Sequence, residues 1–350
     1  MNIIQVGSSG HYEYALAAAK RAGFRFTGIC MGDRREKNTT REKFRKFGFE
    51  VPLYEDYSEM LEKAPSDIVI INSFMGYNAE FAAEALRRGK HVFIEKPIAT
   101  TLDGLRLVMR EYHNANTKEM LEKCGRKRVC LCGMFGILDE PQFMTARKTA
   151  ASGVLGEIRL VNAQKSYKLG EREEFYSERE LYGGTIPWVA IHAIDWAWRL
   201  FGLHFTEVTA RQSRAANGGN GTMESDAICL FRGSRDELVS VSADYFRPAG
   251  APTHGDDRIR AVGERGIMEV RAGKVYITDE NGESEVSEYE KSGSIFDEFI
   301  NETETGNPGR VSAMGSFYST YLALCARESA DKGKTVALDF DAFCREIREI

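Results

Sequence analysis

Through the first third of the chain, short apolar runs alternate with segments whose apolar residues recur every three or four positions. The runs at 2–6, 26–31, 67–72 and 91–96 predict strands. The helical periods at 12–22, 34–46, 78–88 and 101–113 predict helices between them, with Gly23, Gly48 and Gly89 as stops. The run at 67–72 (Asp-Ile-Val-Ile-Ile-Asn) is continuously β-branched at its centre, as a strand buried on both faces must be. Strand and helix in alternation, joined by short loops, predict a parallel sheet with right-handed crossovers.

From residue 128 the rhythm changes. A strand is expected at 129–135, a helix at 141–152 and a longer strand at 158–167, and a tryptophan-rich helix follows Gly183. Alternating apolar and polar residues then mark strands near 205–213, 226–233, 238–247, 257–263 and 267–278. Gly-Asn, Gly-Ser and Asn-Gly turns separate them, which suits antiparallel neighbours. Helices return at about 293–303 and 312–331.

Composition narrows the class without choosing within it. The chain has 350 residues, enough for two cores, with 43% hydrophobic and 28% charged residues, as in ordinary soluble domains. A net charge of -5 argues against nucleic acid or an anionic membrane as partner. No apolar run reaches the ~18 residues of a spanning helix, and the first residues form a strand rather than a signal peptide. The seven cysteines are scattered, and Cys130-Leu131-Cys132 lacks the spacing of a zinc or redox pair. No metal site is expected, and reduced thiols predict a cytoplasmic protein.

Chemistry is concentrated at strand ends. Gly7-Ser8-Ser9-Gly10-His11-Tyr12 follows the first strand and opens a helix, where a dinucleotide loop sets glycines at its first, third and sixth places. Only Gly7 matches; Ser9 and Tyr12 take the other two places, while Gly10 restores backbone freedom and Ser8 and Ser9 offer hydroxyls to phosphate. Placed at the start of a βαβ series, the loop reads as pyrophosphate-binding rather than as an ordinary turn. After the second strand, Met31-Gly32-Asp33-Arg34-Arg35 carries both an acid for the ribose of NAD and arginines for the phosphate of NADP, so both cofactors stay open. Asn72, Ser73 and Asn78 follow the 67–72 strand, either lining the nicotinamide side or capping the next helix. The run His91-Val92-Phe93-Ile94-Glu95-Lys96-Pro97 delivers a lysine where a buried strand stops, a place where an ammonium partly stripped of water can handle protons.

With these residues in view, the chain resembles the oxidoreductase family of glucose–fructose oxidoreductase, inositol dehydrogenase and MocA-like proteins. The resemblance runs through Gly89-Lys90-His91-Val92 and Glu95-Lys96-Pro97, then Gly153-Val154-Leu155-Gly156-Glu157-Ile158. It continues through Gly183-Gly184 to His192-Ala193-Ile194-Asp195, and ends in Ser329-Ala330 and Gly333-Lys334-Thr335-Val336. It implies an α/β fold with an N-terminal Rossmann domain (a doubly wound parallel sheet) at 1–123. A C-terminal α+β domain with a large, mostly antiparallel open sheet is implied at 124–350. It also implies a homodimer or homotetramer built through that second sheet.

The same resemblance implies catalysis by Lys96 and His192, the lysine binding the reacting hydroxyl and the histidine exchanging its proton during hydride transfer to NAD or NADP. Gly7, Ser8, Ser9, Gly10, His11, Asp33, Arg34, Asn72, Ser73, Asn78, Glu95 and Lys96 are the expected cofactor residues. Lys96, Lys165, Tyr167, Trp188, His192 and His254 are the expected substrate residues. Many members carry an aspartate four residues before the histidine; here Trp188 stands there, an aromatic platform for a sugar face, and Asp195 is a candidate to orient the imidazole. By its helix alone (Val189, Ile191, Ile194, Trp196, Trp198), His192 reads equally as a core histidine. Tyr176, Arg179 and Tyr182 lie in a loop expected to cover the pocket, and the polar stretch Thr253 to Arg258 serves equally as a sugar contact or a turn network. The leading expectation is oxidation of a secondary alcohol of a sugar, cyclitol or glycoside. Redox-assisted glycoside cleavage with recycled NAD is the first alternative, and a non-catalytic sugar-responsive regulator the second.

Overall fold

A computed structural model describes residues 1–36 and 40–348. In chain order the first part comprises β1 (Asn2–Val6), α1 (Glu13–Arg21), β2 (Arg25–Cys30), α2 (Thr40–Lys46), β3 (Leu53–Tyr54) and α3 (Tyr57–Lys63). It continues with β4 (Ile68–Ile71), α4 (Asn78–Arg87), β5 (His91–Ile94), α5 (Leu102–Ala115), α6 (Lys118–Cys124) and β6 (Leu131–Gly133). These strands form one sheet in the order β3-β2-β1-β4-β5-β6, with every pairing parallel. The order reverses between β1 and β4, which opens a crevice at their carboxyl ends where such sheets bind nucleotides. β4 and β5 are buried along their whole length, so their sequences read as unbroken apolar runs. Side-chain oxygens of Asp56, Thr101 and Thr117 accept backbone N–H bonds that start α3, α5 and α6.

The later chain comprises α7 (Pro141–Ala151), β7 (Ile158–Tyr167), α8 (Arg179–Tyr182) and a π-helical turn, Ile186–Ala190, running into α9 (Ile191–Arg199). Then come β8 (Phe205–Ser213), β9 (Asp226–Gly233), β10 (Leu238–Asp244), β11 (Gly255–Gly263), β12 (Ile267–Arg271), β13 (Lys274–Asp279) and β14 (Gly282–Glu285). The chain ends with α10 (Ile295–Thr305), α11 (Ala313–Lys332), β15 (Val336–Ala337) and α12 (Phe340–Arg348). The second sheet runs β14-β13-β12-β11-β7-β10-β9-β8-β15, antiparallel throughout except for the parallel β7–β10 pair. Alternation along β9 and β10 sends Ala227, Cys229, Phe231, Val239 and Val241 inward and leaves Ile228, Leu230 and Leu238 on the open face. Helix α9 packs on β7, β10 and β11.

The chain forms two compact units: Met1–Phe135 with Ser294–Thr320 and Ala342–Ile350, and Gly136–Gly293 with Tyr321–Asp341. This grouping differs from a division after residue 123. The strand expected at 129–135 is β6, which pairs with β5 and extends the first sheet. Helix α10 also returns to the first unit, where Phe296 and Phe299 pack at 5.0 and 5.4 Å from the ring of Phe93 on β5. The helix expected at 34–46 begins at Thr40; residues 37–39 lie outside the described residues. The strand expected at 267–278 is a hairpin, turned by Ala272 and Gly273 at φ 50° and 74°. Among the described residues all seven cysteines are free, and no helix is long and apolar enough to cross a membrane.

Candidate active site

In the first unit, β1 ends against the end of β4. Gly7 turns there with φ +86°, and a Cβ would overlap the Asn72 carbonyl and the Ser73 amide, so only glycine fits. Ser9 N–H donates to Asn72 O at 2.7 Å, which fastens the loop to β4. Gly10 lies at φ +84°, where a Cβ would overlap the Glu95 carboxylate. The His11 amide donates to Glu95 Oε2 at 2.8 Å, and His11 Nδ1 lies 3.0 Å from the same oxygen. Burial pushes the Glu95 carboxyl up, but His11, the Lys96 charge and the loop hydrogen bond outweigh it and hold the group below the usual carboxylate range. Tyr12, at the place of the third glycine, is buried with its ring 6.3 Å from that of Phe44 on α2.

Lys96 follows β5 and is 1% exposed. Its amide donates to Glu95 Oε1 at 3.0 Å, and Asn78 Nδ2 donates to the carbonyls of Glu95 at 3.0 Å and Pro97 at 2.9 Å. The turn that carries the lysine is therefore held from both sides; its Lys96–Pro97 peptide is cis. Asn72 Nδ2 meets Met134 Sδ at 3.5 Å. Asn72 Oδ1 and Asn78 Oδ1 are buried acceptors without a hydrogen-bond partner among the described residues.

Glu36 is a residue that the sequence pattern hid. Its buried carboxyl accepts from Ser8 N at 3.0 Å, Gly32 N at 3.3 Å, Ser73 Oγ at 2.6 Å and Phe74 N at 3.3 Å. It thereby joins the loops after β1, β2 and β4, and burial raises it to about 7 despite these donors. Beside it, Asp33 receives Arg35 Nε at 3.0 Å and the Tyr77 hydroxyl at 3.0 Å; the Arg35 hydrogen bond leads in lowering it to about 2. Arg34 is exposed.

The second unit gathers most of the expected substrate residues. Gly183 and Gly184, at φ +83° and +104°, end α8 and lead into the π-helical turn, a widened turn of a kind frequent at functional sites. Arg327 Nη1 donates to Gly183 O at 2.5 Å, and buried Glu224 accepts Thr185 N at 3.1 Å and pairs with Arg179. Arg179 therefore braces this segment. On the emerging helix, the ring of His192 stacks 6.4 Å from Trp196, and Lys165 Nζ lies 5.5 Å from the same indole and 4.6 Å from Tyr167. Lys165 donates to both oxygens of Asp257, at 2.5 and 2.6 Å. Burial lowers the lysine and raises the aspartate, in each case against the pull of the partner's charge.

Tyr167 stacks 5.0 Å from His254 and 6.3 Å from Tyr245, and the Tyr245 hydroxyl lies 2.8 Å from that of Tyr182. Tyr182 and Trp188 both meet Tyr176, at 4.8 and 6.3 Å. Lys165, Tyr167, His192 and His254 thus belong to one aromatic and charged cluster. Trp188 joins it buried at 7% exposure, packed against Tyr176 rather than open as a platform. Asp195 is held by Arg199 through bonds of 2.7 to 3.1 Å. Trp196, Tyr245 and Asp257 enter from three separate elements, which their spacing in the chain does not disclose.

Two family models match: residues 1–121 fit the oxidoreductase family with an NAD-binding Rossmann fold, and residues 143–269 fit the GFO/IDH/MocA C-terminal domain. A solved oxidoreductase-type structure from Thermotoga maritima is 43% identical, with TM-score 0.89, covering 97% of this chain and 100% of that one. The chain belongs to the GFO/IDH/MocA oxidoreductase family. It is also similar to the myo-inositol 2-dehydrogenase of Thermotoga maritima, 25% identical over 85% of this chain and 87% of that protein. Its fold matches a levoglucosan dehydrogenase solved with NADH and levoglucosan, with TM-score 0.80 and 17% identity, covering 97% of this chain and 99% of that one. Among the first curated relatives, the aligned part spans from 40% to 87% of the relative's length.

The first unit of this family member fits a dinucleotide. The Gly7 cradle has no room for a side chain, the exposed Gly10 amide has no protein acceptor among the described residues, and two buried amide oxygens lack donors. Gly7, Ser8, Ser9 and Gly10 would hold the pyrophosphate, and Asn72 and Asn78 offer acceptors to a carboxamide. Among the described residues no group of three or more metal-ligating side chains gathers.

Proposed function

We propose that this NAD-binding oxidoreductase is a dehydrogenase of a secondary alcohol on a sugar, cyclitol or related polyol. The observation that carries this reading is the cluster around His192. It combines aromatic rings, a buried Lys165–Asp257 pair and a histidine, the inventory that recognises a ring bearing several hydroxyls. The similarity to a myo-inositol dehydrogenase supports the same substrate class.

When bound, the nicotinamide supplies the hydride acceptor. Lys96 donates a hydrogen bond to the reacting oxygen and stabilises the negative charge that grows there as the carbonyl forms. Asn78 and Glu95 fix the lysine's backbone, so its position does not depend on the ligand. His192 takes the hydroxyl proton, a task suited to an imidazole, which can accept and return a proton at a ring nitrogen. Lys165 and Asp257 orient neighbouring hydroxyls, one as donor and one as acceptor.

The test is a panel of sugars and cyclitols with either cofactor, followed by the absorbance of reduced nicotinamide. Turnover of a polyol that falls about a hundredfold or more in His192→Asn, with cofactor affinity unchanged, supports the reading. Absence of turnover with every polyol, in a protein shown to bind the cofactor, refutes it.

A further inference from the structure

Resting on that reading, we infer that the substrate is an acidic sugar whose carboxylate is bound by Arg172. Arg172 follows β7, with its guanidinium carbon 4.5 Å from the ring centre of Tyr245 and 5.5 Å from that of Tyr176. Its Nη2 donates to Lys168 O at 2.9 Å. Its Nε is buried and has no acceptor, and among the described residues no carboxylate pairs with it.

The surrounding charges are settled differently. Lys165 is neutralised by Asp257, Arg247 and Arg258 share Asp256, and Arg179 holds Glu224 and Asp331. Among the described residues Lys168 donates to carbonyls, those of Ala249 at 2.8 Å and Ala251 at 2.5 Å. Among the described residues, Arg172 and Lys168 are therefore two cations at this end of the cluster with no carboxylate paired to them. His254 registers these charges: burial and then the charges of Arg172, Lys165 and Lys168 hold its imidazole below the usual value.

A guanidinium clasped by two rings is fixed in orientation, and its fork matches a carboxylate. Leaving a buried N–H unpaired is costly, and a ligand oxygen removes that cost. Tyr176, one of the two clasping rings, also meets Trp188, one helical turn before His192. The anion site thus borders the segment that carries the proposed base. Atoms of the reaction are unaffected; Arg172 binds and orients.

The experiment titrates the cofactor-loaded protein with D-glucuronate, D-gluconate, glucose 6-phosphate, glucose and myo-inositol. Binding is read by tryptophan fluorescence and turnover by nicotinamide absorbance. A carboxylate sugar is expected to bind at least about tenfold more tightly than its neutral counterpart, and less tightly as salt rises. Arg172→Gln should weaken that acid about tenfold to a hundredfold, leave neutral polyols unchanged and melt like the wild type, while Arg172→Lys recovers part of the loss. Equal binding of acid and neutral sugars, preference for the phosphate, or an acid unaffected by Arg172→Gln overturns the inference. If neutral polyols turn over while acids gain nothing, the dehydrogenase reading survives and only the acidic-substrate inference falls. If no polyol of either kind binds or reacts, the dehydrogenase reading itself has failed.

Discussion

One oxygen of Glu95 receives the His11 amide at 2.8 Å and faces His11 Nδ1 at 3.0 Å, although the two residues lie 84 positions apart. The other oxygen takes the amide of Lys96 at 3.0 Å. A single buried carboxylate therefore ties the nucleotide loop to the turn that presents the lysine. The loop that we propose holds the cofactor and the lysine that we propose binds the reacting oxygen share a support.

Removing that support should weaken both. Glu95→Ala leaves the buried Lys96 amide without its acceptor, a cost of ~1–3 kcal/mol, and removes the part-buried His11 amide's acceptor as well. The expected result is at least a tenfold rise in the cofactor Kd, read by nicotinamide fluorescence, with a lower Tm. An unchanged Kd would show that the loop holds its shape alone.

Glu36 should make stability depend on pH in an unusual direction. Its folded value, about 7, lies above the ordinary 4.5, so the folded state binds the proton more tightly than the unfolded chain. The resulting stabilisation is complete below about pH 4.5 and is lost as pH rises through 7, at most about 3 kcal/mol. Glu36→Gln keeps the shape without the titration. The Tm of the wild type relative to the Gln variant should therefore fall between pH 5 and pH 8. A constant difference would contradict a raised Glu36.

Asp33 stays ionised at neutral pH, because the Arg35 hydrogen bond and charge hold it near 2 and consume the arginine in doing so. An anion after β2 accepts a ribose hydroxyl and repels a 2′-phosphate. NAD should bind at least about tenfold more tightly than NADP, and Asp33→Asn should narrow the gap. Tighter binding of NADP by the wild type would count against this assignment.

The open face of the second sheet exposes Ile228, Leu230 and Leu238 by half or more, with Leu160 paired to Leu238 across β7 and β10. Exposed apolar side chains grouped on one sheet face are costly in water and suit an interface. We propose that two copies bury it against each other. Light scattering should find a dimer or tetramer, and Leu230→Glu with Leu238→Lys should yield a folded monomer. A wild-type monomer at micromolar concentration would exclude this interface.

The first sheet was legible because β4 and β5 are buried on both faces and lie beside glycine-rich turns. The second was legible because β9 and β10 alternate, one face inward and one outward. β3 and α3 escaped notice: a two-residue strand with Leu53 exposed carries no period to read. Helix α10 looked like part of the second domain because nothing in its own pattern reveals that Phe296 and Phe299 pack on Phe93. At the site, the loop of Gly7 to His11 and the Glu95–Lys96 turn stood out because special backbone geometry demands special residues. Glu36 and Arg172 did not, since each acquires its role from residues on other loops.

Lys96 is the residue on which hydride transfer from a polyol to the nicotinamide is proposed to depend in this family member. The most direct measurement is single-turnover reduction of bound cofactor by the best polyol of the panel, in the wild type and in Lys96→Ala, with cofactor occupancy confirmed in both. Reduction is expected in the wild type, with a loss of about a thousandfold or more in the variant. Equal reduction rates in the two proteins would contradict it.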